Sequence, residues 1–104
     1  MAQTLPSGAA KLAENHSPVW TAYQLLGAAC AEAGPLDART RRLVKLAIAV
    51  GQESEGSVHS HTRRALSEGL TNDEIHHVAL LAIPSMGLAK AVAGMTWIGD
   101  IVDA

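Results

Sequence analysis

The chain has 104 residues, 48% of them hydrophobic and 17% charged, with a net charge of −2. That length fits one domain, the apolar share excludes a disordered chain, and the charge leaves no electrostatic footprint for nucleic acid or an anionic membrane. With no Phe, two Trp and one Tyr, the core has to come from Ala, Leu, Ile and Val, and small side chains let helices approach closely.

The first residues, "MAQTLPSGAAKLAENHSP", lack the charged region and continuous apolar run of a signal peptide. No apolar stretch reaches the ~18–20 residues of a membrane-spanning helix, so a cytoplasmic protein is expected. Residues 1–16 are expected to be a loosely ordered segment of a single domain over 1–104, with one turn around "AAKLAE". Ser17-Pro18 reads as an N-cap and first-turn proline opening "PVWTAYQLLGAACAEAG", which closes at Gly34 before Pro35. The lone cysteine, Cys30, excludes an intrachain disulfide and is expected to be a small buried hydrophobe.

Asp37 is placed to cap a second helix, "ARTRRLVKLAIAV", whose Leu43, Leu46, Ala47 and Val50 recur at helical spacing. Gly51 is expected to end or kink it. A third helix runs from about Ser54 to Gly69. Thr71 and Glu74 form a capping box for the fourth, "NDEIHHVALLAI", which Pro84 is expected to stop. A fifth follows in "SMGLAKAVAGMTWIGDIVD". The fold class is therefore all-α, with about five to six helices.

Two of these helices are apolar over a wide arc. Residues 78–83, "VALLAI", point in every direction, so the fourth helix is expected to be buried all round. The fifth carries one stripe of Leu88, Val92, Met95 and Val102 and another of Trp97 and Ile101 beside Ala93 and Gly94. Broad apolar faces on a small protein mark an interface, and homo-oligomerisation is expected. The arginines cluster at Arg39, Arg41, Arg42, Arg63 and Arg64, too few for a nucleic-acid stripe, and read as solvated helix faces.

The chemically suggestive stretch is "SEGSVHSH", residues 54–61. On a helix, His59 and His61 point about 160° apart and do not chelate one ion. His76 and His77 also diverge, and His16 carries no motif. No metal site is expected. Ser54, Ser57 and His61 instead share one face at i, i+3 and i+7. That face fits a histidine acid/base with two hydroxyls beside it, but the residues alone favour a half-buried histidine bonded to a backbone carbonyl, with the two serines satisfying a helix start.

The run from "LDARTRRLVKLAIAV" through "SHTRRALSEGLT" and "DEIHHVALLA" to the last apolar helix, residues 36–103, resembles the carboxymuconolactone decarboxylase / alkylhydroperoxidase D-like family. In the redox branch of that family the third helix opens on C-x-x-C, a histidine follows four residues later, and a glutamate stands twelve residues before the first cysteine. The resemblance sets Ser54 and Ser57 on the two cysteines, His61 on the histidine and Arg42 on the glutamate. A serine hydroxyl neither forms a disulfide nor cycles through a thiolate, so disulfide-based peroxidase activity is disfavoured. What the resemblance implies is a bundle assembled as a homotrimer or homohexamer. Its activity would be that of a cofactor-free lyase on a small organic acid or lactone, or, in a different class, of a non-catalytic scaffold. In the enzyme reading His61 is the acid/base, Ser57 and Ser54 are pocket hydrogen-bonders, and Arg42, Arg63 or Arg64 holds the substrate carboxylate. Glu53 and Glu55 are candidates for the lost carboxylate's place at the substrate, and both fit equally as first-turn residues favoured by the helix dipole.

Overall fold

The computed structural model describes residues 5–104. Six helices follow in order, α1 (Ser7–Asn15), α2 (Ser17–Glu32), α3 (Ala38–Gly51), α4 (Glu55–Ser67), α5 (Asn72–Met86) and α6 (Leu88–Val102). Among the described residues there is no strand, and the fold is all-α. No helix among them is long and apolar enough to cross a membrane.

The chain divides into two compact units, one running to Pro35 and one spanning Leu36–Ala104. In the first, α1 packs on α2. The segment read as a single loose turn is a nine-residue helix, and the first four residues lie outside the described ones. Helix α2 opens one residue earlier than expected. His16 is its N-cap, without a side-chain bond, and Pro18 sits inside the first turn, where its missing N–H costs nothing. Trp20 and Tyr23, one turn apart, bring their rings to 5.6 Å. No residue of α2 is buried. Cys30 is exposed, not buried as expected: an Ala/Leu-rich context shows that a segment is apolar, not that something covers it.

The second unit holds the core. Leu46, Ala49 and Val50 of α3 meet Val58 and Ala65 of α4, Ile75, Ala79 and Ala82 of α5, and Ala91 and Ile98 of α6, with Leu70 between α4 and α5. Five of these eleven are alanine, so backbones approach closely, and complete burial of Leu46, Ile75 and Ile98 contributes about 1.5–3 kcal/mol each. Caps set the helix starts. Asp37 accepts from the Thr40 amide at 2.8 Å. Thr71 and Glu74 bond reciprocally in a capping box, and Glu74 also takes Arg39 of α3.

Three boundaries depart from expectation. Helix α3 runs through Gly51, and the residue that turns the chain is Glu53, at φ 54°. Its amide bonds the Val50 carbonyl, and the Ser54 amide bonds Ala49, the pattern that closes a helix through a left-handed residue. Helix α5 continues past Pro84 to Met86. The carbonyl that loses a partner there belongs to Leu80, which is exposed, while Ala82 and Ile83 hold the last turn against the core. The break falls on Gly87, whose φ of 101° and ψ of 154° suit glycine almost alone.

Helix α5 is not buried all round. Ile75, Ala79 and Ala82 face the core, but Leu80 and Leu81 are exposed, as are Val44 and Ile48 of α3. In α6 the buried face is Ala91, Gly94 and Ile98, with Met95, Trp97 and Val102 packed at its edges, and Leu88 and Val92 exposed.

Candidate functional site

Helix α3 presents Arg42 and Lys45, one turn apart, and α4 presents Ser57, His61 and Arg64, with Glu68 at its C-cap, at spacings of three and four. The two helices pack against each other, and the contact closes on a three-residue cluster. Arg42 bonds Glu68 with two parallel N–H···O contacts, Nε to Oε1 and Nη2 to Oε2, each 2.9 Å. Its remaining fork nitrogen, Nη1, reaches Nδ1 of His61 at 2.7 Å. The Arg42 side chain is 14% exposed and that of Glu68 42%, so the guanidinium is withdrawn from water while the carboxylate that anchors it stays in contact with solvent.

A guanidinium has no acceptor and keeps its charge. Nδ1 of His61 therefore accepts, and the ring proton stands on Nε2. The ring is half-buried, and its pKa is lowered from 6.5 to about 4, first by loss of solvation and then by the charges of Arg42, Arg64 and Lys45, with Glu68 opposing. At neutral pH His61 is uncharged. The Arg42 guanidinium, by hydrogen bond and by charge, holds Glu68 below the usual carboxylate range, and Glu68 stays ionised. Arg42, Lys45 and Arg64 against one carboxylate leave a local excess of positive charge, which favours an anion.

Of the residues singled out from the sequence, His61 and Arg42 are brought into contact. Ser54 is the N-cap residue of α4 but its hydroxyl makes no cap bond. Ser57 stands one turn before His61. Among the described residues neither serine joins His61 by a hydrogen bond, and both are half-buried. Glu53 is not at this cluster's ion pairs: it is exposed, with its carboxylate 4.0 Å from Lys90 of α6. His59 belongs elsewhere, its Nε2 3.0 Å from Asp100 of α6. Glu68 and Lys45 were not identified from sequence. The signal was present, since Glu68 lies two turns after His61 and Lys45 one turn after Arg42, each on the same helix face as its partner.

Among the described residues no three His, Cys, Asp or Glu side chains are grouped to hold a metal. A separate groove of about 360 Å³ lies between α3 and α5, lined by Leu43, Val44, Ala47, Val78 and Leu81 with Glu74 and His77.

The description of the carboxymuconolactone decarboxylase family matches residues 19–100 of the chain. A stretch of 55 residues, 53% of the chain, is 42% identical to an uncharacterised protein of Haemophilus influenzae, and the match spans about half (49%) of that protein's length. Among solved structures, a carboxymuconolactone decarboxylase family protein from Legionella pneumophila, in its apo form, is similar with a TM-score of 0.78 at 21% identity. The match covers 93% of this chain and 86% of that one, a likeness of fold.

Proposed function

The chain belongs to the carboxymuconolactone decarboxylase family, and from that premise we propose that it is a cofactor-free enzyme of lyase or isomerase type acting on a small organic acid or lactone. His61 is its acid/base residue. The observation that carries this reading is an uncharged, half-buried histidine set among an excess of cations. Lys45 and Arg64 are free of ion pairs and Ser54 and Ser57 have unengaged hydroxyls among the described residues, and the two cations attract a carboxylate. Disulfide-based peroxidase chemistry has no support in the residues, because Ser54 and Ser57 stand where it needs thiols and the one cysteine is on α2.

The test is turnover of carboxylated lactones and small carboxylic acids by the wild type and by His61→Ala, with the His61 ring signals followed by NMR during substrate addition. Turnover that His61→Ala loses by a factor of about 10²–10⁴ supports the reading. No turnover, together with an undisturbed His61, removes it.

A second reading, a non-catalytic oligomeric scaffold, is favoured by one observation. Arg42 spends its fork on Glu68 and His61, leaving a cluster that is complete without a ligand. In both readings the chain assembles with itself as a trimer or hexamer, supported by the exposed Val44, Ile48, Leu80, Leu81, Leu88 and Val92. Light scattering coupled to gel filtration measures this directly, and a monomer mass counts against it.

A further inference from the structure

From the Glu68–Arg42–His61 contacts we infer that Arg42 is a positioning residue rather than a substrate clamp. It locks the His61 ring in the Nε2–H tautomer, so that His61 offers a ligand oxygen a hydrogen-bond donor and not a lone pair. The inference rests on the proposed enzyme reading and narrows the part of His61 in it from acid/base to hydrogen-bond donor.

The argument starts from valences. Arg42 is anchored by a bidentate carboxylate, an arrangement that fixes the plane of the guanidinium as well as its position. A fixed plane fixes Nη1, and Nη1 points at Nδ1 from 2.7 Å. A proton on Nδ1 would face an N–H donor at that distance, and both ring nitrogens protonated would add a second positive charge beside the first. Only the Nε2–H ring is compatible with the contact. The same contact uses up the one basic nitrogen of the ring. What remains for a ligand is Nε2–H.

The charged groups identified around the ring reinforce this. From α3 come Arg42 and Lys45, and from α4 come Arg64 and Glu68. The three cations disfavour an imidazolium and favour an anionic ligand, and Glu68, the one group that would favour imidazolium, is committed to Arg42. The ligand chemistry that fits is an oxygen bearing or gaining negative charge, a carboxylate or the carbonyl of an ester or lactone, accepting from Nε2–H while Lys45 and Arg64 neutralise it. No bond to His61 forms and no proton leaves it. The group that accepts a proton in any reaction at this site is not the His61 ring.

The test reads the tautomer without any substrate. In ¹⁵N-labelled wild-type protein at neutral pH, long-range ¹H–¹⁵N correlation is expected to show Nε2 protonated and Nδ1 bare. A proton on Nδ1, or an averaged mixture, overturns the lock. In Arg42→Met the two tautomers are expected to mix and the His61 pKa to rise by about one unit or more, since a like charge within hydrogen-bond reach is removed. Arg42→Lys, which keeps a donor, is expected to restore the single tautomer. An Arg42→Met ring still locked on Nε2–H overturns the role of Arg42, and if that variant fails to fold, the wild-type spectrum alone still decides. Titrated acetate is expected to shift Nε2 and leave Nδ1 in place, whereas a silent Nε2 overturns the ligand assignment. Because these readings need no turnover, a locked tautomer in a protein inactive on every acid and lactone tried would count against the enzyme reading and not against the lock.

Discussion

Gly94 on α6 passes so close to Val50 on α3 that a Cβ on the glycine would stand 2.9 Å from one Val50 methyl and 3.0 Å from the other. Both residues are buried, and valine is β-branched and stiff, so neither side has room to yield. Gly94→Ala is expected to destabilise the protein by about 1–3 kcal/mol, as overpacking does in close-packed cores. Val50→Ala alone also destabilises, by leaving a cavity. The double variant should be more stable than the two single losses added together. Urea unfolding of all four proteins closes the cycle, and simple additivity would mean that the two residues do not compete for the same space.

Thr62 is fully buried on α4, and among the described residues its hydroxyl oxygen has no hydrogen-bond partner. A buried polar atom left unsatisfied costs about 1–3 kcal/mol, and valine has nearly the same shape. Thr62→Val is therefore expected to raise the melting temperature, with a gain of about 1 kcal/mol. A lower melting temperature would show that the hydroxyl is satisfied in solution, for instance by a bound water.

Local signals in the sequence were read well where the determining contact is itself local. The Asp37 cap and the Thr71–Glu74 box each close within three residues, and the periodicity of α3 points to Leu46 and Val50. What escaped was set by tertiary contacts. Glu68 meets Arg42 across 26 residues of chain, so nothing in either local stretch announces the pair. Pro84 carries a local penalty that would end a helix, yet Ala82 and Ile83 pack against the core and carry α5 past it. Cys30 sits in an apolar run on a helix with no buried residue, because composition reports what a segment would bury and not what it meets. The face with Ser54, Ser57 and His61 was legible from helical spacing. The tautomer of His61 was not, since it depends on a guanidinium from another helix.

Glu53 and Gly69 occupy equivalent places, each just after the end of a helix, with φ of 54° and 91°. In both, the next amide reaches back to close the helix, Ser54 to Ala49 and Leu70 to Ala65. Glycine adopts this backbone freely, while a residue with a Cβ is disfavoured by about 1 kcal/mol or more. The ion pair of Glu53 with Lys90, 4.0 Å apart and well exposed, offsets little of that. Glu53→Gly is expected to stabilise the second unit by about 0.5–1 kcal/mol, readable as a higher urea midpoint. If the proposed enzyme is assayed alongside, unchanged turnover in this variant would remove Glu53 from the candidates for substrate contact.

His61 also gives the folded protein a pH dependence whose sign follows from its lowered pKa. Unfolded, the imidazole binds a proton near pH 6.5, and folded, only near 4. Between those values the unfolded state holds more protons, so stability rises with pH across this window and falls as the medium is acidified from about 6.5 toward 4. The contribution is fully present above pH 6.5. Glu68 adds the same sense at lower pH, since its carboxyl is held below its ordinary value by Arg42 and its stabilisation is lost as pH drops through that lowered pKa. Urea midpoints measured from pH 7 down through the carboxylate range, below the ordinary Glu pKa, in wild type and in His61→Gln separate the two. The glutamine variant is expected to lose most of the slope between 6.5 and 4 while keeping the drop that belongs to Glu68. A wild-type slope unchanged by the substitution would mean that the imidazole titrates at its ordinary pKa in the fold, and that the cations of α3 and α4 do not act on it.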